Sequence, residues 1–167
     1  PGFASQQKRG GRLDLKDAFG SVPHSSLLDI LQRAGLRSTT LAIIEDIYKD
    51  SSTCIQTAAG LSAPIPCSRG VKQGCTLSPI LFDVVMEVVI RAMEEVPSAG
   101  YQLSNTNIKS LTYADDLCAS TSSPEKIQLM LSKAEAAAKW AGLTFNPRIS
   151  AALTIFRKQG KRQHAVN

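Results

Sequence analysis

Hydrophobic and polar positions alternate with a period of two in Arg12-Leu13-Asp14-Leu15-Lys16-Asp17-Ala18-Phe19, putting Leu13 and Leu15 on one face and Asp14 on the other. That is the pattern of a half-buried strand. The period lengthens between His24 and Ala34, where Leu27, Leu28, Ile30 and Leu31 form the stripe of an amphipathic helix ending near Gly35. Thr40 to Lys49 reads as a second helix, and Thr53 to Thr57 with Ala63 to Cys67 as a β-hairpin around Gly60. From Ser78 to Glu95 a longer helix is predicted, with Ser78 as N-cap and Pro79 as first helical residue. Its charges Asp83, Glu87 and Arg91 share one face, leaving Leu81, Val84, Val85, Val88 and Val89 for packing on a sheet. Two short apolar runs flank Asp115-Asp116, the second being Leu117-Cys118-Ala119, and predict a hairpin with both carboxylates at its low-strain tip. Ser123 caps and Pro124 opens a helix to Ala141, and Ala151 to Arg157 closes the pattern as a strand. The order of elements predicts an α+β fold, a small antiparallel sheet backed by helices.

The carboxylates change the picture. An Asp-Asp pair is what a solvated turn contains, and it is also what a divalent-metal site contains, because adjacent like charges repel unless a cation lies between them. If the Asp14 strand lies beside the hairpin, Asp14 and Asp115 face each other and can share hard cations, which favour oxygen ligands. Two such ions, roughly 3.5 to 4 Å apart, suit in-line displacement at phosphorus. The bland reading of Asp14 is an edge or buried carboxylate paired with a nearby lysine. Between the acidic segments runs Arg69-Gly70-Val71-Lys72-Gln73-Gly74-Cys75-Thr76-Leu77-Ser78, whose glycines allow close backbone approach to a ligand ahead of a helix N-terminus. Its spacing matches neither a Walker A motif nor a dinucleotide fingerprint.

Composition adds less. A length of 167 residues and 43% hydrophobic content suit one domain with a real core, and a net charge of +5 suits a polyanionic partner. Lys8-Arg9 with Arg12, and Arg157-Lys158 with Lys161-Arg162, gather positive charge at both ends, either as solvated termini or as tails touching phosphates. Cys54, Cys67, Cys75 and Cys118 have neither metal spacing nor a disulfide framework and read as reduced, mostly buried thiols. His24 and His164 have no partners that would make a triad or zinc site, so each reads as a satisfied core or surface residue. No signal peptide or membrane-spanning run is visible, which predicts a nuclear or cytoplasmic protein that is not secreted and has no membrane partner.

In this order, Leu13-Asp14-Leu15-Lys16-Asp17-Ala18-Phe19-Gly20-Ser21-Val22-Pro23-His24, then Gly70 to Phe82, then Tyr113-Ala114-Asp115-Asp116, then Trp140-Ala141-Gly142-Leu143-Thr144-Phe145-Asn146-Pro147, resemble the palm of a reverse transcriptase of the non-LTR retrotransposon type. The resemblance covers about residues 12 to 156. It implies Asp14 and Asp115 as main ligands of two Mg²⁺ ions, with Mn²⁺ able to substitute, and Asp116 as a supporting acidic group. It implies a nucleotide site of Leu15, Asp17, Ala18, Phe19, Gln73 and Gly74, the Phe19 ring acting as gate against the 2′-hydroxyl, though Phe19 is also an ordinary core type. Tyr113, Lys72 and Arg69 would meet template and primer. The implied activity is RNA-directed DNA polymerisation from dNTPs on an RNA template and DNA primer.

Two positions depart from the family pattern. Ile149 stands where a lysine usually protonates the pyrophosphate leaving group, and Arg148 beside it holds its proton too tightly to replace it well, so slower chemistry is expected. Gly20 stands where many relatives have Asp, at a position that is not a metal ligand. The expected division is 1–11 as a flexible stretch or fingers remnant, 12–157 as palm and 158–167 as a basic tail, within a larger protein whose fingers, thumb and endonuclease lie elsewhere. Two other readings stay open. One is an inactive or domesticated remnant that binds nucleic acid; the other is a palm-type cyclase, which the Gln73-Gly74 loop and Phe19 disfavour.

Overall fold

A computed structural model describes residues 8–148, 150–158 and 161–166, with side chains over 10–148, 150 and 151. In chain order the elements are β1 (Lys8–Leu13), α1 (Ala18–Ser21), α2 (His24–Arg33), α3 (Ser38–Tyr48), β2 (Ser52–Thr53), β3 (Gln56–Thr57), β4 (Gly60–Leu61) and β5 (Ile65–Pro66). They continue with α4 (Ser78–Glu94), β6 (Tyr101–Leu103), β7 (Thr106–Ile108), β8 (Ser110–Tyr113), β9 (Asp116–Thr121), α5 (Pro124–Trp140), β10 (Ala151–Lys158) and β11 (Lys161–Val166). The predicted α+β architecture is the one observed. Five strands form one antiparallel sheet in the order β11-β10-β1-β9-β8, which places the chain's first strand in the middle.

One face of that sheet is closed by α5 and α4, which pack on each other. On α5 the buried residues are Met130, Ala134 and Ala138, and two alanines at that spacing let the helices approach closely. Gly11 of β1 continues this fit, since a methyl there would stand 3.6 Å from Leu131 Cδ2. Leu117 and Ala119 of β9 complete the contact as fully buried side chains. The face of α4 is rotated slightly from the predicted one. Phe82, Met86 and Met93 are buried with Leu81, Val85 and Val89, whereas Val84 and Val88 are only half-buried, because α4 meets α2 as well as α5. From α2 come Leu27, Ile30 and Leu31, the predicted stripe.

Elsewhere the structure departs from the pattern. The hairpin around Gly60 is split into two ladders, β2 with β5 and β3 with β4, joined by reciprocal bonds of 2.9 Å between Ile55 and Ser62. Nearly all of it is exposed, so no buried stripe fixes a single register. The β6–β7 hairpin carries only a faint signal in the sequence, because the alternation of Tyr101-Gln102-Leu103 and of Thr106-Asn107-Ile108 extends over just three residues on each side. Both basic ends contain strands: β1 starts at Lys8, within the stretch 1–11 expected to be flexible or a fingers remnant, and Lys161–Val166, within the expected basic tail, pairs with β10. Among the described residues no helix is long and apolar enough to cross a membrane. No described cysteine is buried: Cys54 is exposed and Cys67, Cys75 and Cys118 are half-buried, a correction that follows from their positions on loops and on the sheet's open face.

Candidate active site

Antiparallel pairing turns the acidic segment into a two-residue hairpin. Tyr113 of β8 pairs with Asp116 of β9, leaving Ala114 and Asp115 as the turn. The turn is not a low-strain one, because Ala114 adopts φ 51°, a region costly for a residue with a Cβ. β1 runs alongside β9 with Leu13 level with Leu117, so one residue further along this register Asp14 comes level with Asp116 and next to the turn. Directly opposed antiparallel residues share a face, so Asp14, Arg12, Asp116 and Tyr113 lie on the sheet face away from the helices.

Asp14 lies one residue beyond β1 and is held by the segment after α5. The Asn146 N–H donates to the Asp14 carbonyl (2.7 Å) and the Lys16 N–H to the Thr144 carbonyl (2.9 Å), while Leu15 bridges to Phe145. Ser150 Oγ accepts from the Asp14 N–H at 3.4 Å and donates to the Asn146 carbonyl at 2.8 Å. The closing segment is legible in the sequence, whereas this clamp is not, since only proximity in space gives a signal for it. Ile149, the predicted departure from the family pattern, lies outside the described residues.

The charges around the hairpin are unequally partnered. Arg12 donates from Nε (3.1 Å) and Nη2 (2.7 Å) to the same Asp116 oxygen. Its guanidinium pKa is raised by the hydrogen bond and charge of Asp116, with smaller contributions from the charges of Asp14 and Asp115. Arg12 is therefore not a free phosphate-seeking group of a basic tail. Its signal in the sequence was its i, i+2 relation to Asp14 on an alternating strand. Among the described residues the Asp14 and Asp115 carboxylates have no hydrogen-bond or ion-pair partner, and both are half-buried. Also among the described residues, no three metal-ligating side chains stand close enough to bind an ion as they are. Two unpartnered hard-oxygen donors fit a hard divalent cation. Asp116 fits as a third only when released by Arg12.

Beside the acidic turn the first motif and the glycine loop are stapled together. Gly70 N–H donates to Val22 O and Val71 N–H to Phe19 O, both at 2.8 Å, and Pro23 bridges to Arg69. At Gly70 (φ 87°) a methyl would stand 3.1 Å from Gly20 Cα, so the close approach that this glycine permits is to the protein's own backbone. Gly74, by contrast, faces open space, with Gln73 exposed beside it. His24 is satisfied as expected: its Nε2 donates to Gly70 O at 3.0 Å and its ring lies against Tyr48. Phe19 stacks on the buried Phe82 with centroids 4.5 Å apart and planes 19° apart, which fixes the ring, and Ala18 is buried next to it. Asp17 is exposed at φ 43°, its carboxylate folded over Gly20, where any Cβ would collide with it.

Ser78 does not cap α4. Leu77 is the N-cap residue, and the buried Ser78 hydroxyl donates to the Lys72 carbonyl at 2.6 Å, bracing the loop instead. Lys72 Nζ is directed to the Ile47 carbonyl at the end of α3 (2.8 Å) and over the Tyr48 ring, away from a template role in this conformation. Arg69 and Tyr113 are exposed, Tyr113 to 85%. The Cys75 thiol pKa is lowered by backbone N–H groups of Leu77 and then Ser78, with Lys72 adding its charge.

An antiparallel sheet with helices behind and a carboxylate turn on its open face is the fold of a polymerase palm. The telomerase of Candida tropicalis, solved with a TWJ fragment of telomeric RNA, superposes on 95% of this chain and 27% of its own with a TM-score of 0.72 at 12% identity. Telomerase of Candida albicans does so over 93% and 27% with a TM-score of 0.63 at 14% identity. The family described as reverse transcriptase (RNA-dependent DNA polymerase) matches residues 4–159, and the chain belongs to that family. Relatives include the Pol polyprotein of the type-1 retrotransposable element R2 from Nasonia vitripennis, 38% identical over 81% of this chain. Another from Popillia japonica is 30% identical over 89% of it. The chain spans 13% and 21% of the length of those two relatives.

Proposed function

We propose that this chain is the palm of an RNA-directed DNA polymerase of a non-LTR retrotransposon, adding deoxynucleotides to a DNA primer 3′ end opposite an RNA template, in the nucleus or cytoplasm. The observation that carries the proposal is a pair of carboxylates without a partner among the described residues, Asp14 at the end of β1 and Asp115 in the β8–β9 turn next to it, in a chain of this family. They would hold two Mg²⁺ ions, with Asp116 in support. Bound there, the ions supply activation of the attacking 3′ oxygen and charge stabilisation on the departing pyrophosphate.

The chain's own residues position the reactants. Asn146, Thr144 and Ser150 fix the backbone on either side of Asp14, so its carboxylate is presented in one place rather than searched for. Leu15 anchors the strand end in the core, and Asp17 and Ala18 open α1, whose first N–H groups have no partner within the helix and suit a triphosphate. Phe19, fixed by Phe82, supplies a rigid wall where a 2′-hydroxyl would enter. Gln73 and Gly74, exposed on their loop, would meet the nascent base pair, and Tyr113 and Arg69, also exposed, the template and primer, with Lys72 joining them only when released from the Ile47 carbonyl. Fingers, thumb and endonuclease regions of the full-length protein are the remaining partners.

A second reading, a remnant that binds nucleic acid without chemistry, is favoured by the hold of Arg12 on Asp116 and by Ile149. Primer extension on an RNA template with Mg²⁺, using this palm joined to fingers and thumb of a close relative, separates the two. Extension that disappears in Asp115→Asn establishes polymerase chemistry. A folded, template-bound chimera that extends nothing leaves the remnant reading.

A further inference from the structure

The ion pair at the edge of the carboxylate cluster is unusual in its geometry. Arg12 forks both Nε and Nη2 onto one oxygen of Asp116, and among the described residues the other oxygen has no partner. Arg12 is two residues from Asp14 on the same strand face, and β1 is held between β9 and β10 in the centre of the sheet. The guanidinium therefore cannot drift away with a loop; it swings only on its own side chain. The pair is also cheap to open, because 60% of the Arg12 side chain and 51% of that of Asp116 are exposed, and exposed ion pairs contribute little. A strong, dry pair would lock the site, whereas no cation at all would leave three carboxylates repelling one another.

We propose that Arg12 is a displaceable internal counter-cation of the metal site, holding Asp116 aside until a divalent ion takes its place. This rests on the metal reading of Asp14 and Asp115 given above. Arg12 is a positioning residue: it acts through Asp116 and sets how much free divalent ion is needed before the third carboxylate joins the other two. Metal entry breaks the two N–H···O bonds to Asp116 and returns the guanidinium to water, with no proton changing hands.

Binding of free Mn²⁺, followed by loss of its EPR signal as the 167-residue chain is titrated at constant ionic strength, tests this directly. Removing an exposed competing pair is expected to tighten Mn²⁺ roughly two- to fivefold in Arg12→Gln. The gain should vanish in the Asp116→Asn background, because there Arg12 has no carboxylate to withhold. Arg12→Lys, which keeps the charge but loses the fork, should fall between, and circular dichroism checks that each variant is folded. An unchanged or weaker affinity in Arg12→Gln overturns the proposal. An equal gain with and without Asp116 also overturns it, since the effect would then be a general field. If wild type binds Mn²⁺ and Asp14→Asn does not, those failures belong to Arg12 alone. If no variant binds Mn²⁺ in an Asp14-dependent way, the metal reading falls and this inference with it.

Discussion

Replacing Gly142 by alanine should destabilise the protein by about 3 kcal/mol, through strain of two kinds. Gly142 ends α5 at φ 81°, its N–H bonded to Lys139 O (3.1 Å) and the next N–H, of Leu143, bonded to Ala138 O (2.8 Å). That is the Schellman arrangement, and forcing a Cβ into the left-handed region costs about 1–2 kcal/mol. The added methyl would also sit 2.3 Å from Pro23 Cδ and 2.6 Å from Pro23 Cγ. A proline ring cannot rotate away, so the backbone must yield, at the roughly 1–3 kcal/mol typical of overpacking. For a chain of this size about 3 kcal/mol corresponds to a fall in Tm of roughly 10 °C. Urea unfolding followed by circular dichroism and by fluorescence of Trp140, the single tryptophan, measures it with two independent probes. Pro23→Ala combined with Gly142→Ala should return the steric part and leave about 1 kcal/mol of conformational cost. A loss below about 0.5 kcal/mol in the single variant, or strict additivity in the double, would refute the packing of the closing turn on Pro23. The same turn leads into Thr144 and Asn146, which grip the backbone around Asp14, so primer extension by the chimera should fall along with stability.

Phe19→Val removes the ring stacked on Phe82 and should raise ribonucleotide incorporation at least tenfold relative to deoxynucleotide, on the scale of about 1.4 kcal/mol per decade of discrimination; equal sugar selectivity in wild type and variant would show that Phe19 is only core. Lys133, through its hydrogen bond and charge, holds the Glu95 carboxyl below its ordinary range. A depressed carboxylate stabilises above its unfolded pKa and loses that contribution as pH falls through the folded value. Acid unfolding of Lys133→Met should accordingly show a slightly weaker dependence on pH between about 5 and 3, and an unchanged profile would mean that the pair contributes nothing.

Of the alternating Arg12–Phe19 stretch only the beginning is strand, since β1 ends at Leu13, Lys16 and Asp17 turn, and Ala18 and Phe19 open α1. The helical stripes of α2 and α4, the Ser123–Pro124 start of α5 and the acidic hairpin were legible in the sequence. Each is a local pattern, a period of two or of 3.6 or a cap, that neighbouring residues impose on one another. The position of Asp115-Asp116 was legible too, because a polar pair between two apolar runs is what a turn between strands contains. Missed were the choices that depend on what comes near from far along the chain. Ser78 looked like a cap, and only the fold of the loop back over α4 turned its hydroxyl to the Lys72 carbonyl. Arg12 looked like part of a basic end, and only the register of β1 on β9 set it against Asp116. Lys72 looked free for nucleic acid, and only the position of α3 supplied the Ile47 carbonyl that holds it. The sequence by itself determined which residues could do chemistry and which elements carry them, since periodicity and composition act within a few residues. The tertiary structure alone decided which of those charges are already neutralised, because a salt bridge over 104 positions exists only once the sheet has closed.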